Sequence, residues 1–91
     1  MTRPETAEIH RKRLLWRATH RGIKEMDLLV GGYAHAYLAG MDAAKLQEFT
    51  QLLELPDQDL LSWATGVVGV PPRHDSTLLR EVLAFRPAYS A

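Results

Sequence analysis

An all-α fold, a compact five-helix bundle formed as a single domain over 1–91 with its core over about 4–86, is what this sequence predicts. Three observations predict it. Apolar residues recur at helical spacing along almost the whole chain, no run alternates with period two, and the connections between patterned segments are short and punctuated by Gly, Pro and capping residues. A chain of 91 residues has the usual size of one domain. It buries only about 60 to 65% of the surface its unfolded form exposes, so nearly every large apolar side chain must enter one core.

The first helix is expected from about Pro4 to His20. Thr2-Arg3-Pro4-Glu5 opens it as a capping box, in which the Thr2 hydroxyl and the Glu5 carboxylate satisfy each other's unpaired backbone N–H groups. Gly22 then supplies the left-handed conformation that closes many helices. From Ile23 the pattern resumes, and Met26, Leu29, Val30, Tyr33 and Tyr37 share a face that Ala34 and Leu38 widen. Gly31 and Gly32 lie inside this second helix at about 1 kcal/mol each relative to alanine, so they mark either a weak point or a close approach by another backbone.

Gly40 ends the second helix and Asp42 caps the third, with Met41 and Leu46 spaced as a hydrophobic staple across the cap. The third helix runs to about Glu54 with Leu46, Phe49, Leu52 and Leu53 facing inward. Pro56 breaks it, and Asp57 caps a short fourth helix carrying Leu60, Leu61, Trp63 and Ala64 as far as Gly66. Residues 66–72 hold two glycines and two prolines and read as a loop whose valines lie over the core. Asp75 or Ser76 caps a fifth helix with Leu78, Leu79, Val82, Leu83 and Phe85. Pro87 ends it, and 87–91 are expected to fray.

Composition narrows the function. Without cysteine there is no disulfide framework, thiolate zinc site or cysteine nucleophile. No apolar run approaches the ~20 residues that span a bilayer, and the start lacks the apolar stretch of a secretory signal and the character of a transit peptide. The expected setting is the bacterial cytoplasm, ahead of the mitochondrial matrix, with no membrane insertion. Net charge is zero, but residues 1–24 hold seven Lys/Arg against two acids while 25–91 hold four against nine. A basic first helix can meet an acidic partner or nucleic acid, and a solvated helix face explains it equally simply.

No catalytic or metal site emerges. His10, His20, His35 and His74 lack the HxxxH spacing of a zinc helix. His74-Asp75-Ser76 names the members of a hydrolase triad, yet sequence neighbours cannot readily point at one another. Asp57 and Asp59 suit a helix N-terminus better than an acid–base pair. Neither the Gly66/Gly69 loop nor Gly31-Gly32 has the context of a nucleotide fingerprint. Trp16, Tyr33, Tyr37, Phe49, Trp63 and Phe85 sit at helical spacing and are expected in the core. The expectation is a protein that is not an enzyme and carries no cofactor of its own. The dense charged turn at residues 17–27 remains, where Arg21 and Glu25 would pair across one turn if the helix were continuous.

After a basic helix, Arg21-Gly22-x-x-Glu25-x-Asp27-Leu28 resembles the motif of the assembly factors that promote covalent attachment of FAD to the flavoprotein subunit of succinate dehydrogenase. Phe49-x-x-Leu52-Leu53-Glu54 and Asp57-x-Asp59-Leu60-x-x-Trp63 follow at similar spacings, so the likeness covers roughly residues 13–65, with a looser fit in the fifth helix. It implies a five-helix bundle that binds the flavoprotein of succinate dehydrogenase, and in some bacteria that of fumarate reductase, through the RGxxE turn. By that resemblance the partner-binding residues are Arg21, Gly22 and Glu25, joined by Asp27, Arg17 and His20. FAD would be carried by the partner, and the chain would be monomeric when unbound.

Gly22 would let the backbone approach a partner, Arg21 offers a planar multidentate donor, and Glu25 can orient it or accept from the partner. Gly31-Gly32 and the 66–72 loop depart from the family's pattern and leave the choice between dehydrogenase and reductase open. The competing classes are a nucleic-acid-binding helical module, suggested by the basic first helix and the helix-turn-helix look of residues 9–39, and a helical adaptor for another enzyme. Zero net charge and an acidic second half count against nucleic acid.

Overall fold

Five α-helices and one 3-10 turn account for the regular structure in a computed structural model that describes residues 6–86. They are α1 (Ala7–Thr19), α2 (Lys24–Tyr37), the 3-10 turn Leu38–Gly40, α3 (Ala43–Leu53), α4 (Asp57–Ala64) and α5 (Thr77–Ala84). No strand occurs among the described residues, as the absence of period-two patterning required. α1 packs chiefly on α2, α3 lies against α1, and α4 and α5 close the bundle against α2 and each other.

Caps set the helix starts. Asp42 accepts from the Lys45 amide at 2.8 Å and Ser76 from the Leu79 amide at 3.0 Å, which selects Ser76 over Asp75. Thr6 caps α1 through the Ile9 amide at 3.2 Å. α1 therefore begins at Ala7 and not at about Pro4, because Thr6 is extended and caps it; the capping box expected over 2–5 and the frayed tail at 87–91 lie outside the described residues. Asp57 is not the cap of α4. Pro56 occupies the N-cap without a side-chain bond, and Asp57 begins the helix with its carboxylate turned elsewhere. Gly66 is the one positive-φ residue described, at φ +78°, and it closes α4 as a left-handed glycine should. Gly22 does not adopt that conformation, so the turn after α1 needs its glycine for another reason.

One core holds the bundle. Phe49, Leu60, Val30, Val82 and Ala18 are fully buried, with Leu14, Met26, Leu46, Leu52, Leu53, Leu78 and Leu79 around them. Met41 and Leu46, spaced as a staple, both belong to this core. Five apolar residues depart from expectation. Trp16 is 62% exposed because α1 turns only one face inward and Trp16 lies off it, and Tyr37 is 53% exposed at the last residue of α2, where only one side of its ring packs, on Tyr33 and Phe85. Val67 and Val68 project from their loop instead of covering the core, a role left to Val70. Phe85 lies past the end of α5 in extended backbone and packs edge-on to Tyr33.

The two helical glycines mark close approaches. A β-carbon on Gly31 would meet Thr19 Cγ2 at 2.9 Å and the Ala18 carbonyl at 3.1 Å, and one on Gly32 would meet the Phe85 ring at 2.8 Å. The first contact sets how near α1 and α2 lie, and with it the geometry of the turn that joins them.

Candidate docking site

α1 ends at Thr19 and α2 begins at Lys24, so His20, Arg21, Gly22 and Ile23 form the turn. Ile23 is extended and offers no side-chain cap, but its carbonyl accepts the first amides of α2. The break sends Arg21 inward instead of along a continuous helix, and its partner is not Glu25.

The Arg21 guanidinium is almost enclosed, with 8% of the side chain exposed, against 19% for its ion-pair partner Asp57. Nε donates to Asp57 Oδ1 at 2.5 Å, Nη1 to the Leu53 carbonyl at 2.9 Å and Nη2 to the Leu55 carbonyl at 2.7 Å. Those carbonyls stand at the C-terminal end of α3, where backbone acceptors are unpaired and the helix dipole favours a cation. Asp57 spends its second oxygen on the Gly22 amide at 2.8 Å, and Asp27 accepts from the Arg21 amide. One carboxylate from α4 thus holds a side chain and a backbone amide of the turn, and one from α2 holds it from the other side.

This network explains the glycine. A β-carbon at Gly22 would lie 3.2 Å from Asp57 Oδ2, tight enough that the carboxylate must give by a few tenths of an ångström against the two bonds that hold it. Removing one partner of a well-buried pair costs about 3 to 5 kcal/mol; Asp57 keeps some solvent exposure, which brings the expected cost below that range.

Of the remaining sequence-selected residues, Arg17 pairs with Glu54 at the end of α3 at 3.1 Å. His20 stacks on Trp16 with ring centres 4.2 Å apart and planes 11° from parallel. Glu25 is exposed and makes no hydrogen bond or ion pair among the described residues. Arg21, Gly22 and Asp27 are therefore brought into one network, Arg17 and His20 flank it, and Glu25 faces solvent from the first turn of α2.

Asp57, Glu54 and Trp16 belong to this surface without having been assigned to it. Asp57 looked like a helix cap and Trp16 like a core residue, and only the similarity of spacing downstream linked 54 and 57 to the turn. His74-Asp75-Ser76 separates into three structural roles: His74 packs on Trp63, Asp75 pairs with Arg80, and Ser76 caps α5. No metal-binding cluster of three His, Asp or Glu occurs among the described residues. Nor is any helix among them long and apolar enough to cross a membrane.

A small all-α bundle whose first interhelical turn is fixed by an enclosed ion pair defines a structural class. Within it the chain belongs to the family described as flavinator of succinate dehydrogenase, whose model matches residues 12–86. It is 37% identical over 73 residues to the FAD assembly factor SdhE of Acetobacter pasteurianus, covering 80% of this chain and 67% of the relative. Against the mitochondrial succinate dehydrogenase assembly factor 2 of Scheffersomyces stipitis it is 44% identical over 71 residues, covering 78% and 48%. The Yarrowia lipolytica counterpart is 43% identical over 68 residues, covering 75% and 47%. The chain spans about two thirds of the bacterial relative and about half the length of the mitochondrial ones. The family resemblance seen in the sequence is thereby confirmed.

Proposed function

We propose that this chain binds the flavoprotein subunit of succinate dehydrogenase through the Arg21-Gly22 turn and promotes its covalent flavinylation. The observation that carries the proposal is the turn itself, fixed by two carboxylates while Glu25, His20 and Trp16 stay exposed around it. Family membership supports succinate dehydrogenase as the enzyme it serves; fumarate reductase flavoprotein is a second client to test.

The chain acts by holding a conformation of the flavoprotein in which an acceptor histidine lies against the isoalloxazine methyl group. That raises the fraction of molecules able to react. Bond formation belongs to the flavoprotein and the FAD it carries, so the chain needs no catalytic residue or cofactor. The setting that goes with this role is the bacterial cytoplasm.

Internal pairing weakens the nucleic-acid alternative. Arg11 donates to the Met41 carbonyl, Lys12 lies 3.8 Å from Glu8, Arg17 meets Glu54 and Arg21 is enclosed, so much of the basic front is already matched. Co-purification of the wild type and Gly22→Arg with the flavoprotein, scored by in-gel flavin fluorescence, tests the proposal. A complex and raised covalent flavin with the wild type, both lost in a variant that keeps its helical circular dichroism, support it. Absence of any complex with the wild type overturns it.

A further inference from the structure

We propose that Asp57, outside the turn in sequence and on a different helix, is the positioning residue of the docking surface, and that Arg21 acts through it without touching the partner. This rests on the docking function above and deepens it. Arg21 is the residue of the turn best suited by chemistry to grip a partner, yet all three guanidinium nitrogens have acceptors inside the chain. With 8% of its side chain exposed, it has little surface to offer.

The carboxylate of Asp57 bridges two separate groups of the turn, the Arg21 side chain and the Gly22 amide. Together with the Leu53 and Leu55 carbonyls, this ties the α1–α2 turn to the junction between α3 and α4. Asp57 neutralises the guanidinium while Asp27 holds the Arg21 backbone amide, so the charge left facing outward on the first turn of α2 includes Glu25, which has no partner among the described residues. A surface arranged beforehand binds more tightly because less is ordered on contact. Asp57 supplies that order, and the missing side chain at Gly22 leaves its carboxylate room to reach both groups.

The test is a double-mutant cycle on the full chain: Arg21→Ala, Asp57→Ala and both together, titrated against the purified succinate dehydrogenase flavoprotein at a temperature where circular dichroism shows each variant folded. Each single variant is expected to weaken binding about tenfold or more, and the double variant to bind no worse than either single one. At saturating concentration all three should restore wild-type maximal flavinylation, with the change confined to the half-saturating concentration. Asp57→Asn, which keeps the shape and one acceptor oxygen, should fall between wild type and Asp57→Ala, and it carries the test if the alanine variant does not fold.

Wild-type affinity in folded Asp57→Ala or Asp57→Asn overturns the positioning role. Additive losses in the cycle would show that Arg21 also meets the partner and overturn that half of the proposal. Failure of the wild type itself to bind is a different result, and it removes the docking function on which the inference stands.

Discussion

Gly31 of α2 meets Thr19 of α1 so closely that a β-carbon on the glycine would lie 2.9 Å from Thr19 Cγ2 and 3.2 Å from its Cα. The helices approach backbone to backbone there, at the last residue of α1, directly before the turn begins at His20. Gly31→Ala gains about 1 kcal/mol of helix propensity, but behind the Thr19 methyl stand the Ala18 carbonyl oxygen and Thr19 Cα, backbone atoms that yield only if the helices separate, an overpacking cost of about 1 to 3 kcal/mol. Net destabilisation is expected. Gly32→Ala meets only the far edge of the Phe85 ring, at 2.8 Å, which can swing aside, so its stability should stay near wild type. Denaturant unfolding of the two variants checks this, and a stabilised Gly31→Ala would refute the close-packing account.

Local signals made the helices legible. Leu46, Phe49, Leu52 and Leu53 all point inward as their spacing required, and Asp42 caps the helix it was expected to cap. What stayed hidden was long-range pairing. Asp57 has the position of a cap, and nothing nearby reveals that its carboxylate is claimed by Arg21 and Gly22, 36 and 35 residues away. For the same reason Gly22 suggested a left-handed turn when its role is to leave room for Asp57. Trp16 shares helical spacing with the core, but in an amphipathic helix spacing alone does not say which side of the stripe's edge a residue falls on. The family resemblance supplied what periodicity could not, a reason to look at the turn.

Alkaline pH should weaken the fold through Tyr33. Burial raises its phenol above the ordinary value, and the Glu81 carboxylate, which accepts from the hydroxyl at 3.5 Å, raises it further. A group whose folded pKa is raised contributes stability that is present below the unfolded value of about 10 and lost as pH rises through the folded one. Unfolding free energy should therefore fall above pH ~10, and Tyr33→Phe should flatten that fall. Denaturant unfolding across the alkaline range decides the matter; equal slopes in both proteins would exclude Tyr33 as the source.

Acid acts at the entrance to α5. Arg80 donates to both oxygens of Asp75 at 2.6 Å, and these bonds hold the carboxyl below the usual aspartate value. A depressed folded pKa contributes stability above the unfolded value and loses it as pH falls through the folded one. Because the pair is solvent-exposed, the effect should be local: amide protection in the first turn of α5, measured against the intrinsic exchange rate at the same pH, falls at low pH and in Asp75→Asn, with little change in the global melt. A global loss of stability in Asp75→Asn at neutral pH would contradict this.

Trp16 is the apolar group best placed to anchor a partner. It is 62% exposed and stacks on His20, the residue next to Arg21, so the indole is held flat beside the docking turn at little further entropic cost on binding. Trp16→Ala should change stability by no more than about 0.5 kcal/mol, since few core contacts are lost. An aromatic anchor at the centre of an interface is commonly worth about 2 kcal/mol or more, so the same variant should weaken flavoprotein binding by roughly thirtyfold. The chain's other tryptophan, Trp63, can be replaced by Phe, leaving Trp16 to report on the complex by its own fluorescence. A blue-shifted Trp16 emission on mixing, together with the lost affinity of Trp16→Ala, would place the indole inside the interface. Unchanged emission and unchanged affinity would move the docking surface to the Glu25 side of the turn, away from α1.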